Sequence, residues 1–405
     1  MAQHGRELLR SFHEHRIAVE SARFDLYRRR AQSRVRERDE FERQREFVLS
    51  LIDKDDVTHS FLDDHGQAFD CIPVERQPAL RNTGKELAQP PILKASRTSI
   101  GQPNSASPQL SIGRKDRFGN AMECPKGTVA LRRITLEEVT RFPTLRDYLR
   151  KPTTRPREPL AAGAANVSNP HAYAFQNIAN LGGHTILSVW SPTVATDQVF
   201  SLAQQWCLAT GASGIQTVEA GWQVYPQMYG HTKPVLFVYW TPDSYQTGSY
   251  DCTNFVKYGS TSAIGFALDE VSVSGGQQIE IELCFYLSQG NWWLFLNGID
   301  QQHAIGYFPI SLFAGGPMAT GATTVEFGGE TAGITTFPPM GSGAFANAGA
   351  GFAAYQRSLH YFSQTGDMQP AELTAAQEWA AAYTIAVSVN AGADPAFYFG
   401  GPGGA

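Results

Sequence analysis

Three glutamates are candidates for acid–base chemistry because they interrupt segments that are otherwise apolar or glycine-rich. Glu219 lies in the segment QTVEAGWQVY, and Glu326 and Glu330 share one face of a later strand-like segment, TTVEFGGET. Two carboxylates that converge in a cleft can hold a water between them, one as general base and the other protonated to polarise a carbonyl. Because like charges split the titration of such a pair, this site is expected to work best in acid. The alternative for each glutamate is a solvated position on an open strand face.

Other catalytic signatures are absent from the sequence. There is no GxSxG, no HExxH, no P-loop and no GxGxxG opening a helix. The five cysteines lack the spacing of a zinc site, and their odd number prevents complete pairing. Cys207, next to Trp206 in an apolar segment, is interpreted as a small buried hydrophobe rather than a nucleophile. The sequence therefore predicts no metal and no cofactor.

Composition describes a soluble globular protein rather than a nucleic-acid or membrane protein. The 405 residues are 42% hydrophobic and 18% charged, with a net charge of −5. No run of about eighteen apolar residues is present, so we expect no transmembrane helix. The first residues have no hydrophobic core of a secretory signal, and the cellular location is left uncertain.

The elements that must position the glutamates are short strands separated by turn residues. Alternation in residues 216–225 puts Val218 and Trp222 on the face opposite Glu219. Many similar strands predict an all-β fold with an antiparallel β-sandwich catalytic domain. The predicted organisation is as follows: a long charged N-terminal helix (1–54, helical over 5–53), a small mixed domain (55–150), a Pro-rich exposed linker (151–165) and the sandwich (166–395).

Several sequence blocks resemble one known family. In order, they are FDCIPVERQPAL, CPKGTVALRRIT, HAYAFQN, SVWSPTV, FSLAQQW, VEAGWQVYPQMYG, FVYWTPDSYQTG, GNWWL, GYFP, FGGE and MGSGAF. Together they strongly resemble the neprosin family over roughly residues 60–390. The first two blocks look like that family's activation peptide, so the resemblance implies a pro-segment at 55–150.

The resemblance implies a glutamic endopeptidase that cuts after proline, is made as a zymogen and uses no metal. Its catalytic glutamates carry over to Glu219 and Glu330, with Glu326 as the fallback for the second. Cys71 and Cys124 match the paired cysteines of the family's pro-segment, whereas Cys252 lacks its usual partner and is expected to be a free thiol. The family is typically secreted. Residues near the site that would suit substrate, the aromatic ones by packing on a proline ring, are Trp222, Gln223, Tyr225, Tyr239, Trp240 and Tyr250.

Activation and two rival interpretations complete the sequence-based expectations. The linker prolines Pro152, Pro156 and Pro159 are potential cut sites, and acid is expected to free a pro-segment tethered through arginines such as those of residues 131–133. The expected partners are proline-containing peptides or proteins, not nucleic acid or membrane. The rival to a peptidase is a catalytically silent sandwich that binds carbohydrate or peptide. A further expectation is oligomerisation through the N-terminal helix.

Overall fold

The computed structural model describes residues 2–30, 33–81, 86–93, 105–107, 114–152, 167–250, 253–259, 264–388 and 394–405. Within these ranges the α-helices are α1 (Ala2–Glu20), α2 (Phe24–Arg29), α3 (Arg38–Leu51), α4 (Pro78–Arg81), α5 (Leu136–Val139), α6 (Leu145–Leu149) and α7 (Pro226–Tyr229). Short 3₁₀ helices lie at Val74–Arg76, Gln301–His303, Ile310–Phe313, Pro317–Ala319 and Ala346–Ala348. None of the helices in the described ranges is long and apolar enough to cross a membrane.

The strands are mostly short and are numbered along the chain. They are β1 (His59–Leu62), β2 (Ala68–Pro73), β3 (Ser105–Ala106), β4 (Thr128–Arg132), β5 (His171–Asn180), β6 (Gly182–Ser188), β7 (Gln198–Gly211), β8 (Gly214–Val224), β9 (Val235–Thr241), β10 (Ser249–Tyr250), β11 (Val256–Lys257), β12 (Gln278–Ser288), β13 (Asn291–Leu296), β14 (Ala304–Pro309), β15 (Ala322–Gly333), β16 (Ala354–Phe362), β17 (Met368–Pro370), β18 (Thr374–Gln377), β19 (Thr384–Ser388) and β20 (Ala396–Gly400).

Two large sheets pack face to face, which confirms the predicted antiparallel sandwich. One sheet has the order β10-β9-β8-β7-β15-β5-β18, and the other has β11-β14-β13-β12-β6-β16-β20-β19, with β17 on β16 and β3 on β12. Neighbouring strands are antiparallel except for the short β3–β12 pair. Side chains that alternate inward from both sheets, among them Trp222, Val238, Phe285 and Trp292, form one buried core. Since β20 pairs with β16 and β19, the sandwich continues past the predicted end at residue 395.

The N-terminal region differs from its prediction. In place of one long helix over residues 5–53, the described residues form α1, α2 and α3, with extended residues between α2 and α3. The breaks bring Phe12 of α1 and Phe41 of α3 into one buried apolar cluster. Burial of these side chains outweighs a nearly uniform local helix preference. The prediction of a single long helix was therefore wrong.

The segment between the helices and the sandwich covers the outer face of the seven-stranded sheet. Its own sheet has the order β1-β2-β4, and a disulfide joins Cys71 of β2 to Cys124, the pairing that the family resemblance implied. Phe142 and Tyr148 of this segment pack in the same buried cluster as Phe200 of β7 and Phe237 of β9. We use the name pro-segment, taken from the family resemblance and extended here to the last described residue before 153, for residues 55–152, and we call this apolar contact surface on the sheet the covered face. Cys252 lies outside the described residues.

Candidate active site

Glu219 is held on the covered face by the alternation of β8. Its neighbours in sequence, Val218 and Ala220, point into the sandwich core, so Glu219 points the other way. In register it stands opposite Trp206 of β7 and Tyr239 of β9. The side chain is fully buried although the outer face of a sandwich is usually solvated. The carboxylate therefore needs hydrogen-bond or charge partners to offset its lost hydration.

Glu330 reaches the same face from β15, which is separated from β8 by β7. Val325 and Phe327 of β15 enter the core, and Glu330 stands opposite Leu202 of β7. Its side chain is 4% exposed. The strand register thus brings together two buried carboxylates that are 111 residues apart in the chain.

Lys151 joins the two carboxylates. Its Nζ lies 2.8 Å from Oε2 of Glu219 and 2.5 Å from Oε2 of Glu330, and the side chain is 1% exposed. The rings of Phe200 and Trp206 flank the ammonium at 6.0 and 5.8 Å from their centroids. The sequence analysis placed Lys151 first in an exposed linker. Its side chain is buried instead, so the prediction of exposure was wrong for this residue. Residues 153–166 lie outside the described part of the chain.

Further donors surround Glu219. Its Oε1 accepts hydrogen bonds from the hydroxyl of Thr217 and the phenol of Tyr245, both at 2.8 Å. Thr217 lies two residues away on the same strand face, whereas Tyr245 comes from the loop after β9. That loop has two consecutive non-glycine residues with positive φ, Ser244 at 57° and Tyr245 at 65°. Such backbone costs free energy, and here it aims the phenol at Glu219.

Glu330 has its own set of partners. Asn169 donates from Nδ2 to Oε1 at 3.0 Å, and Gln204 donates from Nε2 to Oε2 at 3.3 Å. The Nε2 of His171 lies 3.6 Å from Oε2, and its Nδ1 lies 2.8 Å from Glu378. The side-chain oxygens of Asn169 and Gln204 are buried and have no hydrogen-bond partner. Two acceptors are thus left open beside the carboxylate pair.

The charges in the site depend on one another. Burial raises the pKa of Glu330, but the ammonium of Lys151 and the imidazolium of His171 together lower it to about 2. Burial lowers the pKa of Lys151, yet Glu219 and Glu330 raise it above its usual value. His171 is likewise held charged, because Glu330 and Glu378 raise its pKa to about 9 against the effect of burial. At neutral pH the site is therefore a closed network of ion pairs.

Glu326, the fallback for the second carboxylate, lies on the same face of β15, four residues before Glu330. It stands opposite Trp206 of β7 and is only partly buried. It lines a cleft that extends from Glu330. Other residues lining this cleft are His171, Tyr173, Trp206, Tyr245 and Glu378. The structure thus brings Glu330, rather than Glu326, into contact with the lysine that also holds Glu219.

Two of the predicted substrate-binding residues lie on the wrong face, and their assignment is corrected. Trp222 and Trp240 are both part of the core between the sheets. The indole N–H of Trp222 donates to the carbonyl of Ser188, and that of Trp240 donates to the hydroxyl of Ser249. Since strand side chains alternate, neither indole can reach a ligand on the face of Glu219.

The other four predicted residues lie on the covered face. Tyr225, Tyr239 and Tyr250 are buried in the cluster that includes pro-segment side chains. Gln223 donates to the phenol oxygen of Tyr229 at 2.7 Å, so its Nε2 is engaged there rather than with Glu219. The phenol oxygen of Tyr239 accepts the backbone N–H of Lys151 at 3.0 Å.

The proposed arginine tether also needs correction. Arg132 pairs with Glu138, and Arg133 pairs with Asp70, so both arginines of residues 131–133 make their ion pairs inside the pro-segment. The ion pair that reaches the carboxylates comes from Lys151. Among the described residues, no group of three or more His, Cys, Asp or Glu side chains is arranged to hold a metal ion. Burial raises the pKa of the Cys207 thiol to about 12, as expected for an inert buried cysteine.

Sequence analysis missed several residues of the site. Gln204 and Trp206 could have been found, because alternation along β7 puts them on the same face as each other. Lys151, Asn169 and Tyr245 carried no such signal, since they lie outside regular strands and reach the site only through the fold.

Comparison with known proteins places the chain in a family. The family model described as Neprosin matches residues 197–402, which is half of the chain. A search of solved structures found scytalido-glutamic peptidase in complex with a transition state analog inhibitor, at 10% identity and a TM-score of 0.31, covering 58% of this chain and 99% of that one. It also found SCP-B, a member of the Eqolisin family of peptidases, in a complex with the tripeptide Ala-Ile-His, at 9% identity and a TM-score of 0.31, covering 59% and 100%. From the family match, the chain belongs to the neprosin family, and this membership supports a glutamic peptidase.

Proposed function

We propose that the protein is a glutamic endopeptidase that cleaves after proline and is made as a zymogen activated by acid. The observation that carries the proposal is the contact of one ammonium with both Glu219 and Glu330. Lys151 directly follows residues 55–150, the pro-segment that the family resemblance implies, and a cut further along the predicted linker would remove it together with that segment. A buried cation between two catalytic carboxylates would block the site for as long as its ammonium stays between them.

The ammonium occupies the position that a nucleophilic water needs. Its nitrogen donates to Oε2 of both glutamates, as a water held between them would. With a water there, one glutamate takes its proton as the oxygen attacks the carbonyl carbon. The other glutamate, protonated, stabilises the developing oxyanion and delivers a proton to the leaving amine as the C–N bond breaks.

Acid favours loss of the lysine through proton linkage. While Lys151 is bound, the pKa of Glu330 is about 2, because its ion pairs outweigh burial. When Lys151 leaves, the largest of the lowering contributions is removed, so the open site binds a proton more readily. We call the side chain of Lys151 between the two glutamates the plug. Its retention is thus complete above the ordinary pKa range of a carboxyl and is lost as the pH falls towards 2. This direction of the pH dependence, with Lys151 held less tightly in acid, supports activation in acid.

The covered face offers a surface suited to proline. Tyr225, Tyr239 and Tyr250 become accessible once the pro-segment leaves, and aromatic faces pack well against a flat, rigid pyrrolidine ring. The Cys71–Cys124 disulfide supports folding in an oxidising compartment, as for an exported protein. The three N-terminal helices bury apolar side chains against the rest of the chain, so the protein's own contacts give less support to the proposed oligomerisation through them.

The test is cleavage of a proline-containing peptide at acidic and neutral pH, with mass spectrometry to locate the cut. We expect wild type to cut after proline in acid, and Glu219→Gln and Glu330→Gln to lose the activity. Glu326→Gln is the matched control, because Glu326 lies on the same face of β15 without contacting Lys151, and it should still cleave.

Loss of activity in Glu326→Gln together with retention in Glu330→Gln would move the second carboxylate to Glu326. Absence of cleavage by every form, including protein freed of its pro-segment, would favour the rival interpretation of a binding module for carbohydrate or peptide.

A further inference from the structure

Asn169 links the pro-segment backbone to a candidate catalytic carboxylate. Its Nδ2 donates to the carbonyl oxygen of Pro152 at 2.7 Å and to Oε1 of Glu330 at 3.0 Å. Asn169 is 4% exposed and its own Oδ1 is buried without a partner. Because a carbonyl and a carboxylate can only accept, the NH₂ group rather than the oxygen of the amide must face them. Both of its N–H groups are used.

The backbone around Pro152 lies across the site as a substrate would. One residue earlier, the N–H of Lys151 donates to the phenol oxygen of Tyr239 at 3.0 Å. The two contacts hold the N–H of Lys151 at Tyr239, the strand neighbour of Glu219, and the carbonyl of Pro152 at Asn169, the partner of Glu330. A proline therefore has its carbonyl oxygen pinned beside Glu330, and its side chain is the one that the proposed specificity requires before the scissile bond.

We infer that Asn169 is a further catalytic residue whose amide holds the oxygen of the scissile carbonyl, and that Pro152 is the chain's own residue at that position. The inference rests on the proposed peptidase function. In this arrangement Lys151 fills the place of the attacking water, so the bond after Pro152 stays intact while the plug is in place. When acid displaces the side chain of Lys151, water enters beside a carbonyl that is already oriented.

The reaction then runs with named partners. The water oxygen bonds to the carbonyl carbon of Pro152, and the carbonyl electron pair moves onto its oxygen, where the Nδ2–H of Asn169 donates. Because Asn169 also binds Glu330, Glu330 lies on the oxygen side, and Glu219 takes the proton of the water. The C–N bond breaks as the leaving amine receives a proton from the carboxyl pair. The products are a new carboxylate at Pro152 and a new amine at the next residue.

The first test measures kcat and KM on a separate peptide. All proteins carry the same recognition sequence for an unrelated, sequence-specific protease within residues 153–166, so each is opened without relying on its own activity. We expect Asn169→Ala to lower kcat by about 100-fold, as removal of one oxyanion donor does, with KM close to that of wild type. Thermal unfolding at neutral pH checks that the variant is folded.

Gln204→Ala is the matched variant, because it also removes a donor to Glu330 but has no contact with Pro152. It should displace the pH dependence of kcat with a much smaller loss at the optimum. In Asn169→Asp, a protonated carboxyl regains one donor, so its defect should shrink as the pH falls.

Three outcomes overturn the inference. The first is a kcat of Asn169→Ala equal to that of wild type. The second is a pH shift and a loss of kcat in Asn169→Ala that are no different from those in Gln204→Ala. The third concerns unmodified wild type, in which we expect the earliest new N-terminus in acid at residue 153; an earliest N-terminus at 157 or 160 would remove Pro152 from the scissile position. Failure of the proposed function is distinct, since wild type itself would then leave the peptide uncut.

Discussion

Replacing Lys151 with methionine tests the plug directly, because methionine has a similar length and no charge. The fall in the pKa of Glu330 from 4.5 to about 2 corresponds to about 3 kcal/mol, and Lys151 supplies the largest lowering contribution. At neutral pH, Lys151→Met should therefore weaken retention of the pro-segment by up to about 100-fold. Without the ammonium, burial would favour protonation of Glu330 while the pro-segment is bound, and His171 would be left as the group that lowers the pKa of Glu330. The part of pro-segment binding that depends on the ion pair between Lys151 and Glu330 should therefore no longer decrease in acid.

The assay is the dissociation constant of the pro-segment from linker-cleaved protein, measured by gel filtration across a pH series, with intact mass to verify that the segment is whole. Log Kd of wild type should rise as the pH falls, and Lys151→Met should lower the steepness of that rise by about one proton. Lys257→Met is the matched control, because Lys257 is equally buried. It donates to the carbonyl of Ala130 in the pro-segment and to the carbonyl of Ile264 outside it. It should change Kd and leave the steepness as in wild type. A Lys151→Met curve as steep as the wild-type curve would refute the plug.

Two further predictions concern the pro-segment and its contact with the sandwich. Burial, helped by His65 and Arg132, lowers the pKa of His231 to about 4, and its Nδ1 accepts the backbone N–H of Lys233 at 3.2 Å, which only an unprotonated nitrogen can do. The neutral ring is favoured while Gln67 of the pro-segment contacts it. The contribution of His231 to binding of the pro-segment is therefore present above about pH 6.5 and is lost as the pH falls towards 4. His231→Gln should therefore reduce the steepness of log Kd between those values, and an unchanged slope would contradict the reasoning. Separately, the disulfide between Cys71 and Cys124 spans 53 residues, for which loop-closure entropy predicts about 4 kcal/mol. The double substitution to serine should lower the melting temperature of the intact protein, while the kcat of enzyme already opened and acidified stays as in wild type; an altered kcat would show that the disulfide acts on the site itself.

Strand periodicity predicted much of the site because its information is local. The alternation in residues 216–225 and the spacing in TTVEFGGET put Glu219 and Glu330 on defined strand faces, and the structure has them on one face of one sheet. The same alternation already separated Trp222 from Glu219. Its assignment to the substrate site followed from its aromatic character, against the strand geometry, and the structure has it in the core.

What could not be predicted depends on contacts between distant parts of the chain. Lys151 meets Glu219 across 68 residues, and Asn169 meets Glu330 across 161, and neither belongs to a regular strand whose periodicity would aim it. The breaks in the N-terminal helical region have the same origin, because Phe12 and Phe41 are buried by packing that a local helix preference does not contain.

The covered face has a consequence for how the protein is stored. Large apolar side chains, including Phe200, Tyr225, Phe237 and Tyr250, are shielded by the pro-segment, and its removal in the proposed activation would expose them as a broad apolar surface. Such a surface binds unfolded polypeptide, whether this is a substrate or a second copy of the same protein. Under the proposed function, synthesis with the pro-segment attached would protect the producing cell from aggregation as well as from digestion. A catalytic domain expressed alone would lack both forms of protection.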